Sequence, residues 1–300
     1  MYAIIGASGN TGSAVAGKLL AHGEKVRVIG RDAKRLEGLV QKGAEAFVAN
    51  VNDAAALSQA FSGAKAVYLM IPPNPAIPNV REDQERVSDA LVAAVQSAGV
   101  EYAVVLSSIG ADKPDKTGPV LGLHNLEQKL NGVAALKADY LRAGYFMENL
   151  LPQVMIIKSF GVTGGPLRGD LKVAMIATED IGAAAAEALL KLAFSGKQAR
   201  ELLGQRDVTY QEVAAVIGKA IGKPELGYVQ LGPAQIKPAL MQVGMSSNMA
   251  DLLLEMSESL NSGYMTAREP RSAQNTTPTS LETFVAGQFV PRFTGKATGA

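Results

Sequence analysis

The stretch Tyr2-Ala3-Ile4-Ile5-Gly6-Ala7-Ser8-Gly9-Asn10-Thr11-Gly12 constrains the fold more than any other in the chain. Ala3, Ile4 and Ile5 form a short uncharged apolar run, the pattern of a strand buried on both faces of a parallel sheet. From Ser13 to His22 apolar residues return at helical spacing (Val15, Leu19, Leu20), and Gly23 closes the segment. Val26-Arg27-Val28-Ile29 then reads as a second strand. In such a β-loop-helix-β unit, Gly6 lets the chain turn sharply off the strand. Gly9 lets the backbone approach a pyrophosphate with no Cβ in the way, and Gly12 lets the helix pack close to the strand. The helix N-terminus, with unpaired N–H groups and the positive end of the dipole, faces the phosphates. The spacing is Gly-x-x-Gly-x-x-Gly rather than Gly-x-Gly-x-x-Gly, and a bare glycine pattern also fits an ordinary strand-to-helix turn. The strand before it and the helix after it make this a nucleotide loop, with Ser8, Asn10 and Thr11 beside the glycines as candidate cofactor contacts.

Strand and helix patterns go on alternating. Helical segments are expected over 32–41 (Asp32 as N-cap), 54–61, 83–98 and 124–130, and strands over 46–49, 66–71, 102–106 and 139–141. That alternation predicts a doubly wound parallel α/β sheet, a Rossmann fold, with strand order 3-2-1-4-5-6. After Asn149 the pattern loosens. A strand is expected over 173–176, an alanine-rich helix after Thr178-Glu179-Asp180, a capping box at Thr209–Glu212, and mainly helix over 233–263. Residues 267–300 are polar with one apolar run. Residues 1–150 are therefore assigned to the nucleotide domain and 151–300 to a smaller, mostly helical substrate or partner lobe, with helix 179–194 returning to the first domain.

With 47% apolar and 19% charged residues the chain can bury a sizeable core. A net charge of +1 leaves no electrostatic footprint for nucleic acid. The chain has no cysteine, which excludes disulfides, thiolate metal sites and cysteine nucleophiles and fits a reducing compartment. No signal peptide precedes Tyr2, and no uncharged run is long enough to span a membrane, so a cytoplasmic chain is expected. No metal site is expected.

The second strand ends Ile29-Gly30-Arg31, where a chain built for NAD carries Asp or Glu toward the ribose 2′-OH. Arg31 is a planar fork of donors suited to a 2′-phosphate, and Lys34 and Arg35 follow one turn on. These residues favour NADP(H), with NAD(H) as the weaker alternative should Asp32 reach the ribose instead of capping the next helix. Ile71 and Pro72-Pro73 after the fourth strand are placed along the same cleft. Tyr145, Phe146 and Asn149 after the sixth strand are placed at its nicotinamide end.

Ser107 lies just past the fifth strand, at the carboxyl edge where such sheets bind ligands; its alternative is a loop hydrogen bond. His124, one of only two histidines, could hand over a proton near neutral pH, or could simply tie the preceding loop to its helix. Met241, Met245, Met249 and Met256 recur at roughly helical spacing, as a core stripe or as adaptable lining for a flat substrate.

The loop from Gly6 to Gly12, the Arg31 position, Ser107-Ser108-Ile109-Gly110-Ala111, His124 with Glu127, Leu141 to Asn149 and Thr178 to Gly182 together resemble the NmrA-like family, an atypical branch of the short-chain dehydrogenase/reductases. The resemblance spans most of the first two hundred residues. It implies NAD(P) binding and one of two functions. The first is an NADPH-dependent reductase acting on a small conjugated or carbonyl acceptor, with His124, Ser107 and Tyr145 as candidate catalytic residues. The second is a non-catalytic redox sensor working through a protein partner. It leaves a homodimer open. The Tyr-x-x-x-Lys pair that handles the proton in typical short-chain enzymes is absent here, since no tyrosine is followed four residues later by lysine.

Overall fold

The computed structural model describes residues 1–295. β1 (Tyr2–Ile5) is wholly buried, as its uncharged sequence requires, and leads through the glycine loop into α1 (Asn10–Ala21). β2 (Val26–Gly30) follows. Asp32 then caps a tight turn over Ala33–Leu36, its carboxylate accepting from Lys34 N at 3.0 Å, and the turn runs on into α2 (Glu37–Val40). β3 (Glu45–Val48), α3 (Ala54–Phe61), β4 (Ala66–Leu69), α4 (Val80–Ser97), β5 (Tyr102–Ser108), α5 (Leu121–Asn131) and β6 (Lys137–Ala143) continue the alternation. α4 begins a turn earlier than its apolar periodicity suggests, because Asn79 accepts from Glu82 N and caps it. α5 likewise starts at Leu121, so His124 sits in its first turn.

The remainder comprises β7 (Tyr145–Phe146), α6 (Gln153–Phe160), β8 (Thr163–Gly165), β9 (Val173–Ile176), α7 (Thr178–Lys191), β10 (Lys197–Leu202), β11 (Asp207–Val208), α8 (Tyr210–Ala220), β12 (Tyr228–Gln230), α9 (Pro233–Gln242), α10 (Ser247–Asn261), α11 (Leu281–Phe284) and α12 (Val290–Thr294). Residues 296–300 of the polar C-terminal stretch lie outside the described residues.

The main sheet has the expected order extended by one strand, β3-β2-β1-β4-β5-β6-β10, with every neighbour parallel. No strand is expected at Lys197–Leu202 from its sequence, because an edge strand in contact with solvent carries Lys, Gln, Arg and Glu rather than a continuous apolar run. One face of the sheet is covered by α1, α2 and α7, where Val15, Leu19, Ile181 and Ala185 are buried. The other is covered by α3, α4 and α5, around Leu57, Phe61, Leu91 and Leu126. A separate core under α6, α8 and α11 gathers Ile157, Val213, Ile217, Leu281 and Phe289, roofed by the small sheet β11-β9-β7. The capping box at Thr209 and Glu212 is present at the start of α8. α10 leaves that core and packs back on the first half. Val80 N donates to Asn248, and Gly118 N and Arg81 both donate to Glu255.

Candidate functional site

The carboxyl ends of the parallel strands define one edge of the sheet, and the glycine loop sits at its centre. Two of the three glycines are demanded by the backbone itself. Gly6 has φ +68°, and a Cβ there would meet Met70 Sδ at 2.4 Å. At Gly12 a Cβ would come within 2.3 Å of the Gly6 carbonyl oxygen. Gly9 differs: its φ of −100° and ψ of 175° suit any residue, it is exposed, and its nearest obstacle is the Gly6 oxygen at 3.3 Å. Gly9 N donates to that oxygen and closes the turn. The first α1 backbone bond runs from Ser13 N to Gly9 O, so the N–H groups of Asn10, Thr11 and Gly12 precede the helical ladder. They are the free donors of a helix N-terminus, and they fit a pyrophosphate. Ser8 and Asn10 lie at the rim of the loop, while Thr11 is buried next to Tyr68, whose phenol is pushed up by complete burial.

Arg31 extends β2 into solvent and lines a cavity of about 230 Å³ with Asn50, Asn52, Pro72 and Arg86. The Asp32 carboxylate is engaged as a cap. Arg35 reaches back to the Ser8 carbonyl at 3.4 Å, so it braces the loop. Asn50 and Asn52 were not among the expected contacts. Polar residues directly after the third strand were the available signal, since they fall at the same sheet edge. Ile71 is buried at the end of β4 and, with Pro72 and Pro73, lines a second, mainly apolar cavity of about 180 Å³. Its remaining wall includes Val120, Leu123 and Met249.

At the ends of β5 and β6 the candidate side chains are each engaged. Ser107, 2% exposed, donates its hydroxyl hydrogen to Glu127 Oε1 at 2.5 Å. Glu127, equally buried, also receives a two-pronged bond from Arg142, with Nε at 3.1 Å and Nη2 at 2.5 Å. That carboxylate holds the Arg142 guanidinium even more firmly in its charged form than usual. His124 Nδ1 lies 2.8 Å from the Ala111 carbonyl oxygen. A carbonyl only accepts, so Nδ1 carries the hydrogen, and the neutral ring presents Nε2 as an acceptor. Only as the imidazolium can it donate from Nε2.

Tyr145 packs edge-on against Tyr210, ring centroids 6.3 Å apart, and Tyr210 lies 5.0 Å from Tyr228. Burial pushes the Tyr145 and Tyr210 phenols up. Phe146 packs against the core under α1 and α7, whereas Asn149 is exposed, its side chain beside the Tyr145 hydroxyl. No hydrogen bond among the described residues joins Ser107, His124 and Tyr145 to one another. The Glu127–Arg142 pair was the interaction the sequence did not reveal. Its members lie in two separate segments, Glu127 on α5 and Arg142 on β6, and they meet through the packing of α5 on the sheet, where the β5–β6 register sets Ser107 beside Arg142.

Among the described residues no cluster of His, Asp and Glu could hold a metal ion, and no helix is long and apolar enough to cross a membrane.

The model of the NmrA-like family matches residues 2–285. An NAD(P)H azoreductase of Xenophilus azovorans is 30% identical over 258 residues, covering 85% of this chain and 86% of that one. Among solved structures, an NADPH-dependent quinone oxidoreductase of Escherichia coli in complex with NADPH superposes with a TM-score of 0.80 at 26% identity, over 95% of this chain and 99% of the other. A triphenylmethane reductase of a Citrobacter species complexed with NADP(H) shares the fold, with a TM-score of 0.75 at 16% identity over 99% of this chain and all of the other.

Proposed function

The chain belongs to the NmrA-like family, and on that premise we propose that it is an NADPH-dependent oxidoreductase that reduces a small conjugated acceptor, quinone-like or carbonyl. The azoreductase and the quinone oxidoreductase it resembles are both nicotinamide-dependent, and each aligns over most of its length. The observation that carries the reading is the contrast within the glycine loop. The backbone excludes a side chain at Gly6 and Gly12, whereas at Gly9 a Cβ would only press on the Gly6 oxygen at 3.3 Å, and the missing side chain there is read as serving a ligand.

In this reading the main-chain N–H groups of Asn10, Thr11 and Gly12 hold the pyrophosphate, and Gly6, Ser8 and Gly9 shape the loop against it. Arg31 takes the 2′-phosphate with a charge-assisted bond, backed by Arg35 through Ser8. Ile71 and Pro72 line the middle of the cleft, and Ser107, Phe146 and Asn149 close its far end. NADPH, when bound, supplies the hydride. The acceptor also needs a proton. It comes from water, the cofactor ribose or a side chain; Ser107 donates within the fold to a carboxylate, and His124, with Nδ1 held at the Ala111 carbonyl, is the side chain proposed to supply it from Nε2.

The test is NADPH oxidation against a panel of quinones, azo dyes and carbonyl compounds. Turnover of ~1 per second or more on any of them supports an enzyme. A second reading draws on the same engaged side chains, since Ser107 and His124 Nδ1 are both committed within the fold. It is a dinucleotide-binding sensor that acts through a protein partner. Tight NADPH binding with no turnover across the panel would favour it.

A further inference from the structure

Among the described residues, the one carboxylate lining the cavity of about 230 Å³ at the ends of β2 and β3 is that of Asp83, in the first turn of α4. Asp83 is 8% exposed, and 11% of its side-chain surface stays open. Its Oδ1 accepts from Arg86 Nη2 at 3.3 Å, whereas Oδ2 has no hydrogen-bond partner among the described residues. Asp83 also borders the smaller apolar cavity, but Arg86 lines only the larger one, so their bond turns the carboxylate toward the nucleotide side. The other polar groups on this lining differ in kind. Arg31 and Arg86 only donate, and Arg86 is shared with Glu82, whose Oε1 accepts from Nη1 at 3.0 Å. Asn50, Asn52 and Asn74 carry amides, which offer either an oxygen or an N–H₂. The Asn50 oxygen accepts from Asn52 N at 3.2 Å and is turned into its own loop. Asp83 is the acceptor-only side chain on the lining, and a nearly buried acceptor with one free oxygen calls for a donor.

The place of the cavity identifies the group that meets this carboxylate. The end of β2 faces the 2′ position of the adenosine ribose, and Arg31 stands there. The base on that ribose enters the same cavity, between the apolar side chains of Val51, Ile77 and Val87. The volume exceeds the ~150 Å³ that accommodates benzene, as a two-ring base requires. Adenine carries an amino donor at C6. We propose that Asp83 reads the base of the cofactor: its free oxygen accepts from the adenine 6-amino group, so the chain selects a 6-amino over a 6-oxo purine dinucleotide. The inference rests on NADP(H) occupying the cleft and is independent of which molecule takes the hydride.

The experiment is a calorimetric titration of the full chain with NADPH and with reduced nicotinamide hypoxanthine dinucleotide phosphate. The second cofactor differs only in its 6-oxo purine, which would set a carbonyl oxygen against the carboxylate. The wild type should bind NADPH about ten- to a hundredfold more tightly, the effect of one charge-assisted hydrogen bond. Asp83→Asn keeps the shape of the side chain and can turn its N–H₂ to a 6-oxo group, so the ratio of the two affinities should fall toward one. Glu82→Gln removes a charge of the same sign from the neighbouring residue, which is not on the cavity lining, and should leave the ratio as in the wild type. A purely structural role of Asp83 in α4 would lower both affinities together and leave their ratio unmoved. Equal binding of the two dinucleotides to the wild type overturns the proposal. So does a preference that survives in Asp83→Asn or vanishes in Glu82→Gln. Should Asp83→Asn fail to fold, the wild-type ratio and Glu82→Gln decide alone. A chain that binds both dinucleotides equally loses only the role of Asp83, whereas one that binds neither loses the cofactor reading and the proposal with it.

Discussion

At the glycine loop the uncommitted polar groups are backbone amides, left free because α1 makes its first helical bond only at Ser13. At the ends of β5 and β6 the polar groups are side chains, and they turn inward: Ser107 to Glu127, Glu127 to Arg142, His124 to Ala111, Tyr145 toward Tyr210. One end of the cleft is free to take a ligand, whereas the other spends its polar capacity on the fold. The difference separates two kinds of sensitivity. A loop that binds through its main chain is disabled by added bulk. A site whose side chains already have partners is disabled by removing a group only where that group still has a second valence to offer, as His124 does at Nε2.

Gly9→Val should break the loop end completely. The position is exposed, its backbone angles suit valine and only the Gly6 oxygen, 3.3 Å from a Cβ, has to give slightly, so the variant should stay folded. Its branched side chain would stand where the phosphates approach, and NADPH binding should be lost in calorimetry. Unchanged affinity in a folded variant would remove the nucleotide assignment. The matching substitution at Gly12 is a control of the opposite kind. A side chain there collides with the Gly6 oxygen, so stability and binding should fall together.

His124→Ala tests whether the far end has any chemistry of its own. A general acid contributes roughly a hundred- to ten-thousandfold. On a carbonyl acceptor turnover should fall by that order, and less on quinones, whose reduced anion needs less help. The hydrogen on Nδ1 faces the Ala111 carbonyl, so a proton for the acceptor can leave only from Nε2. Full activity of the folded variant on every acceptor would leave His124 as a tie between α5 and the loop at Ala111.

The legibility of the two ends differs for the same reason. Gly6, Gly12 and the strand before them leave a mark in the sequence, because a positive φ and a close approach admit one residue type. The six-strand order was readable from periodicity. β10 was not, since an edge strand of charged residues carries no apolar run. At the far end the candidate residues were identifiable, but their engagement was not. Ser107 meets Arg142 and Glu127 only through the β5–β6 register and the packing of α5, which no local pattern encodes.

Arg31→Ala sharpens the loop end without destroying it. The Asp32 carboxylate is occupied by Lys34 N, and in the proposed reading Arg31, which shares its cavity with Arg86, meets the 2′-phosphate. Losing a charge-assisted bond costs ~1.5–3 kcal/mol, about ten- to a hundredfold in NADPH affinity. NADH affinity should change much less, and the gap between the two cofactors should narrow. Equal losses for both would mean that Arg31 acts on the adenosine rather than on the phosphate.

Ser107→Ala carries the smallest expected effect, and it asks whether the far end is a brace or a reaction site. The serine hydroxyl is buried and its hydrogen is given to Glu127, which keeps both bonds from Arg142 when the serine is lost. The variant therefore leaves the carboxylate paired, and the cost should be ~1 kcal/mol, a melting shift of about 2 °C in a chain of this size. If Ser107 only braces β5 against α5, kcat should stay close to wild type on every acceptor, and a modest rise in KM for NADPH should be the sole kinetic trace. A large fall in kcat with the melting temperature hardly moved would contradict the brace. Ser107 would then have to release Glu127 and turn toward the acceptor during turnover, and the far end of the cleft would rearrange when ligand binds.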